Sequence, residues 1–130
     1  MTSAAWVLVF ILSVTDGDTV RLLYPTTSTP NIGVWLEQDA RIFGIDTPEL
    51  HKGCPTEKKH GLEAKKAVER LLPSHAPAFA SLKETSDKYG RVLVELRTIT
   101  NVDIGGELLK RGLAKPYFGK GPKPNWCTTQ

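Results

Sequence analysis

The chain has 130 residues, 40% of them hydrophobic and 24% charged, proportions expected of a soluble globular protein and not of a disordered or membrane-embedded one. Seventeen Lys and Arg against 14 Asp and Glu leave a net charge of +3, which is compatible with a polyanionic partner but does not require one. The length fits a single domain, residues 1–130, that buries one core without staples.

The uncharged run Ala4–Val14 opens the chain. It is too short to span a bilayer, which takes roughly 20 apolar residues, and the residues before it carry no positive charge, unlike a signal peptide. A buried first strand, Ala5–Thr15, is therefore predicted. No membrane association is expected, and the compartment is cytoplasmic by default unless an upstream signal was removed. A corner at Asp16-Gly-Asp-Thr19 leads into a second strand, Thr19–Tyr24, and the turn-rich Pro25–Gly33 reads as a long hairpin loop. Val34–Ile45 returns as a third strand with a polar break at Glu37-Gln38-Asp39.

The period then changes. Between Glu57 and Leu72, Leu62, Ala64, Ala67, Val68, Leu71 and Leu72 recur at helical spacing, and Pro73 stops the helix. Strands Ala78–Lys83 and Arg91–Ile99 follow, separated by a turn at Ser86–Gly90. A short helix, Asp103–Arg111, is closed by Gly112, a residue suited to the left-handed position after a helix. The tail from 119 to 130 is irregular, rich in Pro and Gly. Five short strands interrupted by a helix predict an α+β, mainly β fold: a five-stranded barrel of the OB type with one longer and one short helix.

Two acidic corners stand at the ends of hydrophobic segments: Asp16-Gly-Asp18-Thr and Asp46-Thr47-Pro48-Glu49. Each alone reads as an ordinary turn. Brought together, two carboxylates about 4 Å apart repel by roughly 4 kcal/mol at an effective dielectric near 20, so one takes a proton or a cation joins them. Hard oxygen donors of this kind suit calcium better than zinc. Arginine suits phosphate, because its planar, permanent cation donates parallel hydrogen bonds. Arg41 lies on the strand leading to Asp46, yet on a regular strand the two side chains point to opposite faces. A bend between them is required if they share a site. Cys54 and Cys127 are open to three readings: a disulfide, half of a metal site completed by His51 and His60, or unrelated thiols. The spacing matches no standard zinc module.

The blocks VTDGDTV, ARIFGIDTPEL, DKYGRVLVEL and LLKRGLAKPYF occur in this order between Leu12 and Phe118. Together they resemble the staphylococcal nuclease (thermonuclease-like) family. The resemblance implies an OB barrel and a nuclease that hydrolyses DNA, RNA or both, preferably single-stranded, with little sequence preference, leaving 3′-phosphate ends. It implies Ca2+ held by the carboxylates of Asp18 and Asp46 and the backbone carbonyl of Thr47, with Asp16 just behind. Glu49 would be the general base, Arg41 and Arg91 would grip the phosphate, and Tyr89 would hydrogen-bond to or line its pocket. Beside the resemblance, Tyr117 and Phe118 are candidates to bind substrate by stacking on a base or, equally, to close the bottom of the barrel, and Lys88 is a candidate to follow the substrate backbone. Lys115, Lys120 and Lys123 are further candidates to track a nucleic-acid backbone. The family has a further C-terminal helix that is missing or vestigial here, and a Cys54–Cys127 bond pinning the tail would compensate. A monomer is expected. The competing expectation is a non-catalytic OB module that binds single-stranded nucleic acid or a protein partner, a class in which the carboxylate–arginine set is usually lost.

Overall fold

The computed structural model describes residues 5–25, 34–84 and 87–127. The expected loop at 26–33, the start of the turn at Ser86 and the first four residues lie outside these. Strand β1 (Val7–Asp16) turns Val9, Ile11 and Val14 into the core. It pairs antiparallel with β2 (Thr19–Pro25), and β2 with β3 (Trp35–Ile42). Strand β4 is the two-residue Ile45–Asp46. Helix α1 (Pro55–Leu71) precedes β5 (Pro77–Glu84) and β6 (Val92–Thr98), and α2 (Ile104–Lys110) precedes β7 (Lys115–Pro116).

Five strands close into a barrel in the order β1-β2-β3-β6-β5, with β1 pairing β5 to seal it; β3 and β6 run parallel and the other pairs antiparallel. A closed mixed barrel with two helices among the described residues is the OB-like, mainly β architecture that the element order predicts. Its interior is filled by residues such as Val20, Leu22, Ile42, Val94 and Leu96, all essentially inaccessible to water. Helix α1 packs on β1 and α2 on β6. No described helix is long and apolar enough to cross a membrane.

Four details depart from the sequence reading. Glu37-Gln38-Asp39 does not break β3: Arg21 on β2 lies opposite Asp39 and ion-pairs with Asp39 (2.9 Å) and Glu37 (3.2 Å), so these two carboxylates form the strand's outer face, while Gln38 lies opposite Leu22. The strand ends at Ile42, not Ile45, because Phe43 and Gly44 turn out of it and Gly44 sits at φ +85°. Helix α1 begins at Pro55, whose fixed φ and missing N–H are tolerated in a first turn. Leu62 lies outward, 42% exposed, and Gly61 takes the inward place beside Ala64, Ala67 and Val68. The expected end of α2 holds: Gly112 is at φ +73°, and the N–H groups of Gly112 and Leu113 return to the carbonyls of Leu109 and Leu108. Among the described residues no helix follows α2.

Candidate active site

The two acidic corners meet at one end of the barrel. The β1–β2 corner presents Asp18, whose carbonyl accepts the Ile42 N–H at 2.8 Å and whose Oδ2 accepts the Thr47 N–H at 3.1 Å. The second corner is aimed by the Phe43-Gly44 turn. The Gly44 carbonyl accepts the Tyr117 N–H (3.0 Å), and Ile45–Asp46 then pairs with Lys115–Pro116. This turn is the bend required between Arg41 and Asp46. Arg41 donates through Nη1 to the Ile45 carbonyl (2.9 Å), while Nη2 lies 3.3 Å from Asp46 Oδ1 and 3.4 Å from Asp18 Oδ2. Two carboxylates from separate corners thus converge on one nitrogen of Arg41, with Asp18, Arg41 and Asp46 each under 10% exposed.

Thr47 and Arg91 adjoin this centre, and the other predicted residues are distributed beyond it. Thr47 is buried, and its Oγ1 and the Oδ1 of Asp16 are buried without hydrogen-bond partners. Arg91 donates through Nη1 to Thr19 Oγ1 (3.4 Å), which donates to Asp18 Oδ1 (3.0 Å), so a hydroxyl links the second guanidinium to the acidic corner. Arg91 is itself steered by Asp87, at 2.8 Å from its Nε. Burial disfavours the Asp87 charge, but N–H groups of Arg91 and Tyr89 and the Arg91 side chain outweigh it and hold its carboxyl below the ordinary value. Tyr89 is 68% exposed, with Lys88 Nζ and the Arg91 guanidinium 5.3 and 5.0 Å from its ring centre. Tyr117 donates its hydroxyl to the Gly121 carbonyl. Phe118 packs edge-on against Phe43 and over Gly44, lining a groove of about 300 Å3 with Ile42 and Leu109. The Phe118 ring therefore braces the turn that aims Asp46, whereas Tyr117 reaches that turn through its backbone N–H. Lys120 is exposed, and Lys123 Nζ is 3.9 Å from Glu49 Oε1.

Glu49 is positioned by helix α1. Its N–H donates to Glu57 Oε2 at 2.8 Å, and the helix approaches the Pro48–Glu49 backbone so closely that a Cβ on Gly61 would fall 2.7 Å from the Glu49 carbonyl oxygen. Glycine in a helix interior costs about 1 kcal/mol relative to alanine, so this position is kept for proximity. Gly61→Ala is expected to destabilise by about 1–3 kcal/mol, because the Pro48–Glu49 backbone has to give way and the helix-propensity gain offsets only part of that, and to lower turnover by about tenfold or more through displacement of Glu49. Thermal melts and initial rates measured side by side check this.

The carboxylates carry unfavourable charge. Burial, reinforced by the neighbouring Asp18 charge, raises Asp16 above its ordinary value, with His51, Lys65 and Arg91 acting the other way. Burial also raises Asp46; Asp18 adds to this, against the Trp126 N–H, Lys123 and Arg41. Glu49 is raised by burial, opposed by Lys123 and reinforced by Asp16, Asp18 and Asp46. A carboxyl whose folded pKa is raised contributes stability that is present below its unfolded value and lost as pH rises through the folded one. Asp16→Asn is therefore expected to raise Tm at pH 7 in chelator, with the gap closing as pH falls through the raised folded value toward the ordinary Asp value of 3.8 and absent below it.

The same excess of negative charge tests the fit of a cation. Two buried carboxylates, backbone carbonyls and two unpartnered buried oxygens are hard donors suited to a divalent ion of the calcium type. No group of three or more His, Cys, Asp or Glu poised for a metal occurs among the described residues, so waters would complete the coordination shell. The zinc alternative does not survive: Cys54 and Cys127 are joined in a disulfide (Cα–Cα 5.8 Å), and His60 pairs with Glu63.

Two features escaped the sequence reading. Trp126 Nε1 donates to Asp46 Oδ2 at 2.9 Å, and Gly61 with Glu57 sets Glu49. A glycine inside a helical pattern was the available signal for the second; nothing local in the sequence marks the first.

The closed barrel and its buried acidic–basic centre define an OB-like domain with a mixed-charge cluster at one end. The family model described as staphylococcal nuclease homologue matches residues 39–126, and the chain belongs to that family. It is 29% identical over 92 residues to a thermonuclease of Staphylococcus hyicus, covering 69% of this chain and 51% of that protein. It is 28% identical over 111 residues to endonuclease YhcR of Bacillus subtilis (strain 168), covering 81% of this chain and 8% of that protein. An uncharacterized protein of Methanocaldococcus jannaschii, MJ1439, is 31% identical over 129 residues, 83% of this chain and 58% of its own length. The chain thus spans less than two thirds of each of these relatives.

Proposed function

We propose that this chain is a calcium-dependent nuclease that hydrolyses phosphodiester bonds of DNA, RNA or both, with little sequence preference, and acts as a single-domain monomer. The observation that carries the reading is the meeting of Asp18, Arg41 and Asp46 at one buried point, with Glu49 and Arg91 around it, in a chain of this family. Two relatives named as nucleases support it.

Asp18, Asp46 and the Thr47 carbonyl would hold the ion, with Asp16 tightening the local negative field. Bound there, calcium supplies Lewis-acid neutralisation of a phosphate oxygen. The Glu49 carboxylate takes a proton from water as the water oxygen bonds to phosphorus. The bond from phosphorus to the 5′ oxygen breaks, that oxygen takes up a proton, and the phosphate stays on the 3′ end. Arg41 and Arg91 donate to the phosphate oxygens as their charge grows. For this Arg41 would turn its second nitrogen from Asp18 and Asp46 to the substrate, leaving those carboxylates to the ion they would hold. Tyr89, 68% exposed beside two cations, offers a ring face to a base.

The test incubates purified protein with single-stranded DNA and RNA oligonucleotides, first with calcium and then with chelator. Cleavage that needs calcium and leaves ends that polymerase extends only after phosphatase treatment is expected. Binding without cleavage in both conditions would establish the non-catalytic OB module instead.

A further inference from the structure

The last contact to Asp46 comes from the tail and not from the barrel. Trp126 Nε1 holds Asp46 Oδ2 at 2.9 Å while Arg41 Nη2 holds Oδ1 at 3.3 Å, so the carboxylate is gripped from both ends and its plane is set. The indole is held in turn. Lys115, the β-ladder partner of Asp46, places its Nζ 4.4 Å from the indole ring centre and donates to the Asn125 carbonyl at 3.3 Å. The Cys127 N–H returns to Asn125 Oδ1 (2.9 Å), and Cys127 is bonded to Cys54.

Cys54 is no arbitrary anchor. It is the N-cap of α1, its sulfur accepts the Glu57 N–H at 3.4 Å, and Glu57 carries the N–H of Glu49. One covalent link therefore ties the helix end that orients Glu49 to the tail that orients Asp46. Residues 119–125 have no regular secondary structure and are mostly exposed, and segments of this kind open locally at little cost. The noncovalent ties between this segment and the barrel include the Trp126–Asp46, Lys115–Asn125 and Tyr117–Gly121 hydrogen bonds, the Lys123–Glu49 pair and one cation–ring contact, each weak on its own, so the disulfide is its strongest single anchor.

We propose that Trp126 is the positioning residue for Asp46, and that the Cys54–Cys127 disulfide keeps it there, so that cation binding at the acidic corner depends on the oxidation state of this pair. This rests on Asp46 being a cation ligand, as under the proposed function. Reduction is a two-electron exchange: a dithiol gives two electrons and two protons, becomes a disulfide itself, and leaves Cys54 and Cys127 as thiols. The freed tail then carries Trp126 away from Asp46.

The experiment titrates Ca2+ into chelator-treated protein by calorimetry. Trp126→Phe keeps a ring for Lys115 and removes only the N–H donor. It is expected to weaken calcium Kd about tenfold or more, with the calcium-free Tm within a few degrees of wild type. The Cys54→Ser/Cys127→Ser variant is expected to weaken Kd comparably, and adding Trp126→Phe to it changes nothing further, because the two act through one contact. Equal Kd for Trp126→Phe and wild type, or fully additive effects, would overturn the proposal. A calcium-free readout separates it from the nuclease reading. The Trp126 indole N–H resonance, assigned by its loss in Trp126→Phe, is expected to shift in Asp46→Asn and to lose exchange protection when the disulfide is reduced. If wild type binds no calcium, the nuclease reading fails and the indole decides alone: a resonance indifferent to both changes refutes the positioning role.

Discussion

Arg41→Ala is expected to slow cleavage by about a thousandfold while calcium binding is retained or tightened. The rate loss follows from removing a preorganised bidentate donor at the point where phosphate charge develops, a change that costs about 10²–10³ in turnover, or more where an arginine is the main neutralising group. The second half follows from the geometry. The guanidinium is the counter-charge of both Asp18 and Asp46, at 3.4 and 3.3 Å, with side chains 10% exposed or less. Removing one partner of a buried ionic cluster costs about 3–5 kcal/mol, because the remaining charge is uncompensated. The variant in chelator should therefore melt about 10 °C lower than wild type. Added calcium then meets two carboxylates with no competing cation, so its stabilising effect should be larger in the variant than in wild type. Melts with and without calcium, beside initial rates at saturating substrate, separate the two effects. A rate within tenfold of wild type in a folded protein would remove Arg41 from the chemistry.

This dual role of Arg41 shows where sequence reasoning reaches and where it stops. The barrel was legible because its signals are local: β-branched runs, turn dipeptides between them, one helical period closed by Pro73, and a short helix closed by Gly112. The acidic corners were legible as chemistry because carboxylate-bearing turns at the ends of two strands fall on one end of a barrel once it closes. Even the need for a bend after Arg41 could be argued from the two-residue period of a strand, though its place at Phe43-Gly44 could not. The misreadings have one cause. Glu37, Gln38 and Asp39 read as a break because Arg21, the ion-pair partner of Glu37 and Asp39, stands 18 positions from Asp39. Leu62 looked buried because apolarity outweighed proximity, whereas α1 turns Gly61 inward to admit the Pro48–Glu49 backbone. Trp126 meets Asp46 across 80 positions, along a tail whose path has no periodic pattern to read.

Those long-range contacts also distribute the work of positioning. Asp18 is held by the barrel itself, through the Ile42 and Thr47 backbone. Asp46 is held by a two-residue ribbon and by the tail, and Glu49 by the helix. Only the first is anchored in the part of the molecule whose opening requires the barrel to unfold. The other two rest on α1 and the tail, joined by the disulfide, so losses of geometry short of unfolding are expected there first.

Glu49→Gln is the second large effect, expected to lower turnover by about 10²–10⁴ with little change in calcium affinity or Tm. The amide keeps the size of the side chain and leaves untouched the Glu49 N–H bond to Glu57, so the backbone stays where α1 puts it. What disappears is the ability to take a proton from water. The pH profile gives the sharper check. Burial raises the Glu49 carboxyl above its ordinary 4.5, Lys123 opposes this, and Asp16, Asp18 and Asp46 reinforce it. A base must be ionised to act, so a raised pKa moves the acid limb of the rate profile upward: activity should be lost as pH falls through a value above 4.5. In Glu49→Gln that limb should vanish and leave a low, flat rate. Lys123, 3.9 Å from Glu49 Oε1, works against the shift, so Lys123→Ala should move the acid limb to higher pH while leaving the plateau rate near wild type. A limb that survives intact in Glu49→Gln belongs to another group. The neighbouring aspartates are then the candidates, and the base would have to be sought among them.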